Sequence, residues 1–389
     1  MPETMYLDYA ATTPTDPRVV EAMTPYFSET FGNPSSVHHY GQSAERALEA
    51  ARETVARILN SSPEEIVFTS CGTESDNLAI RGAALAARAN KGTRVIVTSR
   101  TEHHAVSKTA EQLAALHGFE VRWLQAEPDG TVVPARVGDV IGDDCALASV
   151  MYANNEIGTI NPIAEIAAVC RAKGVTLHSD AVQAAAYLPL DVNALGIDIM
   201  SLGAHKFHGP KGVGALYVRR GTHLTPAQTG GSQESGLRAG TQNVPLIVGF
   251  ARALELAQEE RTRRASHATT LRDHIIGFVL EQIPESRLTG SPDRRLPNHA
   301  SFVFKDVDGN LLLTLLDASG FACSSGSACK TGNPEPSEVL TSIGLAREWS
   351  LGSLRVTVGK DTTASDVEAF LAVLPGTVQK ARSLRSGAG

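Results

Sequence analysis

The chain has 389 residues, of which 42% are hydrophobic and 20% charged, a balance typical of a globular protein large enough for two domains. Its formal net charge of -7 argues against a general nucleic-acid or membrane-surface binder, and five unevenly spaced cysteines argue against a disulfide framework. Because the N-terminus lacks a signal-peptide pattern and no apolar run reaches membrane-spanning length, we expect a cytoplasmic protein.

Helical and strand patterns alternate along the first two thirds of the chain. Helical periodicity is found at residues 16–27, 41–59, 75–90, 104–117 and 162–173. Strand-like runs lie at residues 66–70, 94–99, 120–125, 147–153, 175–180, 198–203 and 215–220. This alternation predicts an α/β fold with a mostly parallel, seven-stranded sheet flanked by helices, in a large domain at residues 15–257.

The last third of the chain begins with a long charged helical pattern at about 244–283. Strand patterns at 299–306 and 354–360 and helical patterns near 309–317 and 364–382 follow it. This mixture predicts a smaller α+β domain, formed by residues 1–14 and 258–389.

Residues that follow the strands are the first candidates for a site, because ligands of doubly wound sheets bind at the carboxyl ends of strands. Small residues at 71–74 come between a strand and a helix, where the backbone N–H groups of Gly72 and Thr73 are suited to a phosphate. Taken alone, the same residues more often form an ordinary turn with a threonine N-cap.

His103 and His104 follow the next strand, and either ring is suited to stacking or proton transfer, although a lone histidine there is more often structural. Asn154 and Asn155 follow another strand and fit either a polar ligand or a tight turn. Asp180 ends a buried strand, so it needs a partner such as a cationic ring nitrogen, or a helix N-terminus that it caps.

Lys206 stands where an apolar strand ends and the turn HGPKG begins. Burial and nearby cations lower the pKa of such a lysine and free its amine for a Schiff base, whereas a surface lysine is less consistent with this setting. A phosphate turn, a stacking histidine, a carboxylate and a lysine are together the groups that pyridoxal phosphate requires. The spacing of Asp180 and Lys206 leaves room for one crossover, which brings both side chains to one rim.

Cys329 lies in the segment FACSSGSACKTGNPEPSEVL, whose Ser, Gly, Asn and Pro residues favour an exposed loop. A thiol in such a loop is reactive when it is accessible and ionised. A small buried cysteine is an equally good interpretation of the loop alone.

The chain resembles the cysteine desulfurases, which are fold-type I members of the class V aminotransferase family. The resemblance covers almost the whole chain and rests on the stretches YLDYAATTP, GNPSSVHHYG, FTSCGTESDNLAI, TEHHAV, NNEIGT, HSDAVQ, GAHKFHGPKG, GGSQESGLRAGTQNV, SSGSACKTGNPEPS and LRVTVGKDTT. It implies a pyridoxal 5'-phosphate enzyme that converts L-cysteine to L-alanine. It also implies a homodimer with shared active sites.

The resemblance implies a role for each matching residue. Lys206 would bind the cofactor aldehyde, Asp180 its ring nitrogen and Gln183 its ring hydroxyl. His103 would stack on the ring and, with Lys206, assist proton transfers. Asn155 would lie near the ring and the substrate carboxylate.

The remaining roles concern the phosphate, the substrate and the sulfur. Gly72, Thr73 and His205 would bind the phosphate, and Thr241 would reach the phosphate bound in the partner subunit. Arg355 would hold the substrate carboxylate. Cys329 would take the sulfur as a persulfide, and no metal is implied.

The loop after Cys329 resembles the longer-loop desulfurases of the housekeeping or nitrogen-fixation type. These pass sulfur to iron–sulfur scaffolds or thiolation proteins, so such an acceptor is the expected partner, while nucleic acids and membranes are not. We expect little order at residues 324–333 without a partner, and a buried role for Cys323.

The chain departs from the family pattern at two positions. Gly203 stands where members often carry a serine that binds phosphate, so we expect weaker cofactor binding. Cys71 stands where a smaller residue is usual, and we expect it only to fill space. Two other functions stay open: another class V activity, such as aminotransferase or selenocysteine lyase, and a non-catalytic sulfur relay.

Overall fold

The computed structural model describes residues 4–325 and 335–386 of the chain, with side chains up to residue 384. Cys329 and most of the segment for which little order was expected lie outside the described residues. The helices are α1 Pro17–Met23, α2 Pro25–Ser28, α3 His39–Leu59, α4 Gly72–Lys91, α5 His104–His117, α6 Pro134–Val140, α7 Ile163–Ala172, α8 Val192–Leu195, α9 Val244–Glu259, α10 Arg261–Gln282, α11 Gly309–Ala318, α12 Glu338–Ser342, α13 Arg347–Ser350 and α14 Ala364–Ser386. The strands are β1 Met5–Tyr6, β2 Ile66–Thr69, β3 Val95–Ser99, β4 Glu120–Leu124, β5 Cys145–Ser149, β6 Leu177–Asp180, β7 Ile199–Gly203, β8 Gly214–Val218, β9 Ser286–Leu288, β10 His299–Phe304, β11 Phe321–Ala322 and β12 Ser353–Thr357.

Within the described residues, the main sheet has seven strands in the order β2-β8-β7-β6-β5-β3-β4. β8 runs antiparallel to β2 and β7, and the other neighbours are parallel. Most of these strands are buried along their whole length, as expected for a sheet covered on both faces. The predicted α/β fold with a mostly parallel, seven-stranded sheet is confirmed.

Several boundaries differ from the predicted ones, including those of one strand of the main sheet and of the long helical segment. The strand expected at 147–153 is β5, Cys145–Ser149, and the chain beyond it still donates from Tyr152 N to Asp180 O before it turns. The helical segment expected at about 244–283 is two helices that meet at Glu260. Glu260 accepts hydrogen bonds there from Arg18 and Arg264, which helical periodicity alone does not reveal.

A second hydrophobic cluster lies apart from the clusters around the main sheet. It contains side chains of α10, α11, α14 and the antiparallel sheet β12-β10-β9, and Leu7 near the N-terminus belongs to it. β1 pairs in parallel with β11, which joins the N-terminus to this part of the chain. The domain limits proposed from the sequence stay a prediction.

The carboxyl ends of β3, β5, β6 and β7 point to one edge of the main sheet, because these strands are parallel. The N-terminal segment crosses that edge, where Thr13 N donates to His205 O at 2.9 Å and Ala10 N donates to Thr357 Oγ1 at 2.9 Å. Residues of both parts of the molecule therefore meet at this edge. Within the ranges described above, no helix has both the length and the apolar character needed to cross a bilayer.

Candidate active site

A cavity of about 290 Å³, here called the inner cavity, lies at the carboxyl edge of the main sheet. Nine of the residues predicted from the sequence line it: Gly72, Thr73, His103, Asn155, Asp180, Gln183, His205, Lys206 and Arg355. Thr241 is exposed and does not line this cavity, and Cys329 lies outside the described residues. The structure thus brings together residues that are spread over most of the chain.

Lys206 ends a single 3-10 turn that follows β7, so its side chain enters the inner cavity. Its Nζ donates to the carbonyl oxygens of Ala10 at 2.7 Å and Ala11 at 2.6 Å. Burial and the nearby guanidinium of Arg355 lower the pKa of Lys206 to about 8, against the opposing effect of Asp180. The amine is therefore neutral in a substantial fraction of molecules at mildly alkaline pH.

Asp180 is the last residue of β6 and is buried. Its Oδ1 accepts a hydrogen bond from Val182 N at 2.8 Å. Burial raises the pKa of Asp180, while His103, that backbone hydrogen bond and Lys206 oppose the rise. The buried carboxylate of Asp180 has few positive partners, so a cationic group bound in the cavity would be stabilised beside it.

The turn at residues 71–74, here called the phosphate turn, leads from β2 into α4. Among the described residues, no side chain caps the N-terminus of α4, which is twenty residues long and begins at Gly72. A Cβ at Gly72 would lie 2.8 Å from Val182 Cγ2, so this close approach requires glycine. Free N–H groups and the positive end of a long helix dipole favour an anion here.

Gly203 lies beside the phosphate turn. A Cβ at Gly203 would lie 3.3 Å from Gly72 N and 3.5 Å from Val182 Cγ1. The position where the family often carries serine is therefore adjacent to the same N–H groups. A hydroxyl is missing there in this chain.

His103 caps the N-terminus of α5, because its Nδ1 accepts a hydrogen bond from Ala105 N at 3.1 Å. This contact leaves Nε2 as the protonated nitrogen of the neutral ring. The enclosed position of the ring lowers the pKa of His103, with Asp180 opposing and Lys206 adding to the shift. His104 does not line the inner cavity, which favours His103 of the two.

Arg355 lies in β12 of the antiparallel sheet β12-β10-β9, and it lines the same cavity. Nη1 donates to Asn155 O at 2.9 Å, and Nη2 donates to Asp8 Oδ1 at 2.8 Å. Asn155 O also accepts from His299 Nε2 at 3.1 Å. These contacts orient a permanent positive charge that is suited to a carboxylate ligand.

Two other predicted residues contact the N-terminal segment. Gln183 Nε2 donates to Ala10 O at 2.9 Å, and His205 Nδ1 shares a hydrogen bond of 3.1 Å with Thr12 Oγ1. Burial, together with the nearby lysines, lowers the pKa of His205 to about 4, so this ring is neutral at physiological pH. The N-terminal segment therefore forms one wall of the cavity.

Sequence reasoning missed a group of buried carboxyls around Asp180. Burial and the charge of Asp180 raise the pKa of Asp76 in α4 and of Glu102 well above the usual range. Asp76 Oδ1 lies 3.6 Å from His178 Nε2. The polar character of TEHHAV and ESDN was visible in the sequence, but their burial beside Asp180 was not.

The described cysteines differ in their surroundings. Cys71 lines the inner cavity at the phosphate turn, and its expected role as a space-filler stays a prediction. Cys323 packs against the second hydrophobic cluster, and burial raises the pKa of its thiol far above the usual value. An un-ionised thiol of this kind is a poor nucleophile, which is consistent with the buried role expected for Cys323.

Comparison with known proteins places this arrangement in a family context. The sequence model of the family described as aminotransferase class-V matches residues 5–370. The cysteine desulfurase IscS of Dictyoglomus turgidum is 45% identical over 384 residues, which cover 99% of this chain and 97% of the relative. The cysteine desulfurase IscS of Methanosarcina thermophila is 46% identical over 98% of this chain and 93% of its own.

Solved structures give the same result for the fold. A NifS-like protein superposes with a TM-score of 0.90 at 37% identity, covering 97% of this chain and all of the other. DndA from Streptomyces lividans superposes with a TM-score of 0.77 at 38% identity, covering 91% and 99% of the two chains.

Proposed function

Because the chain belongs to the class-V aminotransferase family and, within it, to the cysteine desulfurases, we propose that it converts L-cysteine to L-alanine with pyridoxal 5'-phosphate as cofactor. The observation that carries the proposal is the position of Lys206 and Asp180 on one cavity. An amine with a pKa of about 8 and a buried carboxylate there face the same space. Such a pair is what an aldehyde and a protonated pyridine ring require.

The residues of the inner cavity fit this cofactor. The N-terminus of α4, which has no cap among the described side chains, and the glycine at its first position suit a phosphate group. Lys206 would hold the aldehyde, Asp180 the ring nitrogen, Gln183 the ring hydroxyl, and His103 one face of the ring. When bound, the cofactor supplies an electron sink for the bonds around the α-carbon of an amino acid.

Arg355 and Asn155 would bind the substrate. Two hydrogen bonds orient the guanidinium of Arg355 before any substrate arrives, so binding a substrate costs little side-chain entropy there. A carboxylate held there places the rest of a small amino acid toward Lys206. Substrates that lack a carboxylate would lose this contact.

Lys206 and His103 would move protons at the substrate. Because its pKa is lowered to about 8, the amine of Lys206 is unprotonated often enough at mildly alkaline pH to accept a proton. Nε2 of His103 is the ring nitrogen that is free of the N-cap contact, so it is the one available for exchange. Both atoms belong to residues of the inner cavity.

Cys329 would accept the sulfur. Its thiolate attacks the sulfur of L-cysteine, a sulfur–sulfur bond forms, and the carbon–sulfur bond breaks. The carbon skeleton takes up protons and leaves as L-alanine. The persulfide on Cys329 would then pass its outer sulfur to an acceptor thiol, such as that of an iron–sulfur scaffold or a thiolation protein.

We extend the proposal to a homodimer with shared sites. Thr241 matches a family residue that serves the phosphate of the other subunit, and it is exposed rather than part of its own inner cavity. A second copy of the chain would bring this residue to the phosphate turn. The oligomeric state in solution tests this part, because a monomer with full activity would contradict it.

The experiment for the activity uses the purified chain and pyridoxal phosphate. We expect the protein to become yellow with the cofactor, to change its absorbance on addition of L-cysteine, and to release alanine. Formation of a keto acid instead of alanine would indicate another class V activity. Protein that remains colourless with added cofactor would contradict the enzyme proposal.

A further inference from the structure

A second cavity of about 450 Å³, here called the outer cavity, adjoins the inner one. The two cavities share His103, Asn155 and Arg355 as lining residues. Ser325 and Glu335, which flank residues 326–334 in the sequence, also line the outer cavity. The outer cavity therefore connects the candidate active site with both ends of the segment that contains Cys329.

Glu156 joins two walls of the outer cavity. Its side-chain Oε2 accepts a hydrogen bond from the Ser337 hydroxyl, although the two residues are 181 positions apart. Ser337 Oγ in turn accepts from Val339 N at 3.1 Å and Leu340 N at 3.3 Å, so the same hydroxyl caps α12. One side chain of the cavity thus holds the start of the helix that follows the Cys329 segment.

The turn that carries Glu156 is itself held firmly. Asn154 Oδ1 accepts from Glu156 N at 2.8 Å, and Asn154 Nδ2 donates to Thr101 O at 2.8 Å. The neighbouring Asn155 O accepts from Arg355 Nη1 at 2.9 Å. Glu156 therefore directly follows the residue whose carbonyl oxygen orients Arg355, the candidate ligand of the substrate carboxylate.

The surroundings of Glu156 raise the pKa of its carboxyl. Burial raises the pKa of Glu156 to about 7, while the Ser337 hydroxyl and Arg355 lower it and Glu338 adds to the rise. The other titratable residues that line the outer cavity are Glu102, His103, His104, Lys108 and Glu335. The neutral acid and the carboxylate both have an oxygen that accepts from Ser337, so the contact does not depend on one protonation state.

We propose that Glu156 is a positioning residue for sulfur transfer, which acts through Ser337 to fix the start of α12 relative to Asn155 and Arg355. The inference rests on the proposed function, because it concerns the geometry between Arg355, which would bind the substrate, and the segment that contains Cys329. Sulfur transfer requires the sulfur of Cys329 to come close to the sulfur of the substrate. A rigid link between the start of α12 and Arg355 favours this approach. Glu156 itself contacts neither substrate nor cofactor in this account.

The test compares variants of Ser337 in the cofactor-loaded protein. Ser337→Ala removes both the contact with Glu156 and the helix cap, whereas Ser337→Thr keeps a hydroxyl for both. Asp308→Ala is a matched control, because Asp308 caps α11 by accepting from Asn310 N at 2.9 Å and Leu311 N at 3.2 Å, away from both cavities. It removes a cap without touching the link.

The readouts are the rate at which Cys329 gains sulfur at saturating L-cysteine and the cysteine concentration that half-saturates the absorbance change. We expect Ser337→Ala to slow sulfur gain about tenfold, with little change in half-saturation, since only the geometry of transfer is altered. Ser337→Thr and Asp308→Ala should keep the rate of the unmodified protein. A Ser337→Ala rate equal to that of Asp308→Ala would overturn the inference.

Variants of Glu156 give the second test. Glu156→Gln keeps an acceptor oxygen and should keep the rate, whereas Glu156→Ala should slow it as Ser337→Ala does. The double variant Glu156→Ala with Ser337→Ala should be no slower than Ser337→Ala alone, because Ser337→Ala already removes the contact with Glu156. Additive losses, or a slow Glu156→Gln with normal Ser337→Ala, would contradict the link.

The two proposals can fail separately. If the unmodified protein forms no alanine and no sulfur adduct, the proposed function is wrong. If it forms both, and Ser337→Ala equals the Asp308→Ala control, only the positioning role of Glu156 is wrong. Circular dichroism confirms the fold of each variant, and the Ser337 series decides the matter if Glu156→Ala does not fold.

Discussion

Arg355 Nη2 donates to Asp8 Oδ1 at 2.8 Å, which connects strand β12 with the N-terminal segment across the candidate active site. The two side chains are only 8% and 16% exposed, so the pair is largely shielded from water. Arg355 Nη1 is engaged by Asn155 O, and Nε has no hydrogen-bond partner among the described residues. The guanidinium is thus held in place, while Nη1 and Nη2 each keep a second N–H group for a ligand.

The first prediction concerns this pair. Asp8→Ala should weaken binding of L-cysteine about tenfold, because a hydrogen bond to a charged group contributes about 1.5 kcal/mol to the orientation of Arg355. The cysteine dependence of the cofactor absorbance measures the effect. Asp8→Asn keeps an acceptor and should show a smaller loss; unchanged or tighter binding in Asp8→Ala would contradict the role given to the pair.

The second prediction concerns Gly203. Gly203→Ser should bind pyridoxal phosphate about fivefold more tightly, because it adds about 1 kcal/mol of hydrogen bonding beside the phosphate turn. The backbone of Gly203 is extended, with φ of -139°, so a side chain is conformationally allowed. Equilibrium dialysis of the cofactor measures the change.

Gly203→Ala is the matched control for this substitution. Its methyl group meets the same neighbours, Gly72 N at 3.3 Å and Val182 Cγ1 at 3.5 Å, but offers no hydroxyl. Alanine should therefore give no gain in affinity. Equal affinities of the serine and alanine variants would show that the missing hydroxyl is not what limits cofactor binding.

The third prediction concerns the pH dependence of cofactor capture. Only the neutral amine of Lys206 reacts with an aldehyde, and its pKa is lowered from 10.5 to about 8. The rate of colour formation in cofactor-free protein should therefore rise with pH up to about 8 and level off above it. A midpoint near 10.5 would contradict the assignment.

Arg355→Gln is the variant that separates the causes of this shift. Burial is the larger cause and the charge of Arg355 the next, so removing that charge should move the midpoint upward but not fully to 10.5. Stopped-flow absorbance at a series of pH values measures both proteins. An unmoved midpoint would mean that the charge of Arg355 does not contribute to the lowered pKa of Lys206.

The strand ends were predictable from the sequence because parallel strands share one edge. Thr73, His103, Asn155, Asp180 and Lys206 each follow an apolar run, and the structure brings all of them to the inner cavity. No contact between them had to be known, since the alternation of strands and helices already determines the edge at which they meet.

The N-terminal wall of the cavity was not predictable in the same way. Ala10 and Ala11 accept hydrogen bonds from Lys206 through their backbone carbonyl oxygens. Because every residue has such an oxygen, the residue type does not indicate these contacts. Asp8 and Arg355 are 347 positions apart, so no local pattern relates them. Glu156 resembles any polar turn residue until its contact with Ser337 is seen.

The fourth prediction separates the cysteines. Cys323→Ser and Cys71→Ala should both keep alanine formation, because burial leaves the Cys323 thiol un-ionised and the proposed reaction gives Cys71 no role. Alanine release under saturating cysteine measures each variant. Loss of alanine formation in Cys323→Ser, with the cofactor absorbance retained, would move the sulfur-accepting role away from Cys329.

The central claim is that Cys329 takes sulfur from L-cysteine. The most direct measurement treats the cofactor-loaded protein with L-cysteine and determines, by peptide mass spectrometry, which cysteine gains one sulfur atom, while alanine is quantified in the same sample. We expect the added sulfur on Cys329, with alanine formed in step, and a Cys329→Ser protein that changes absorbance with cysteine yet forms no alanine. A Cys329→Ser protein with full alanine formation would contradict the account.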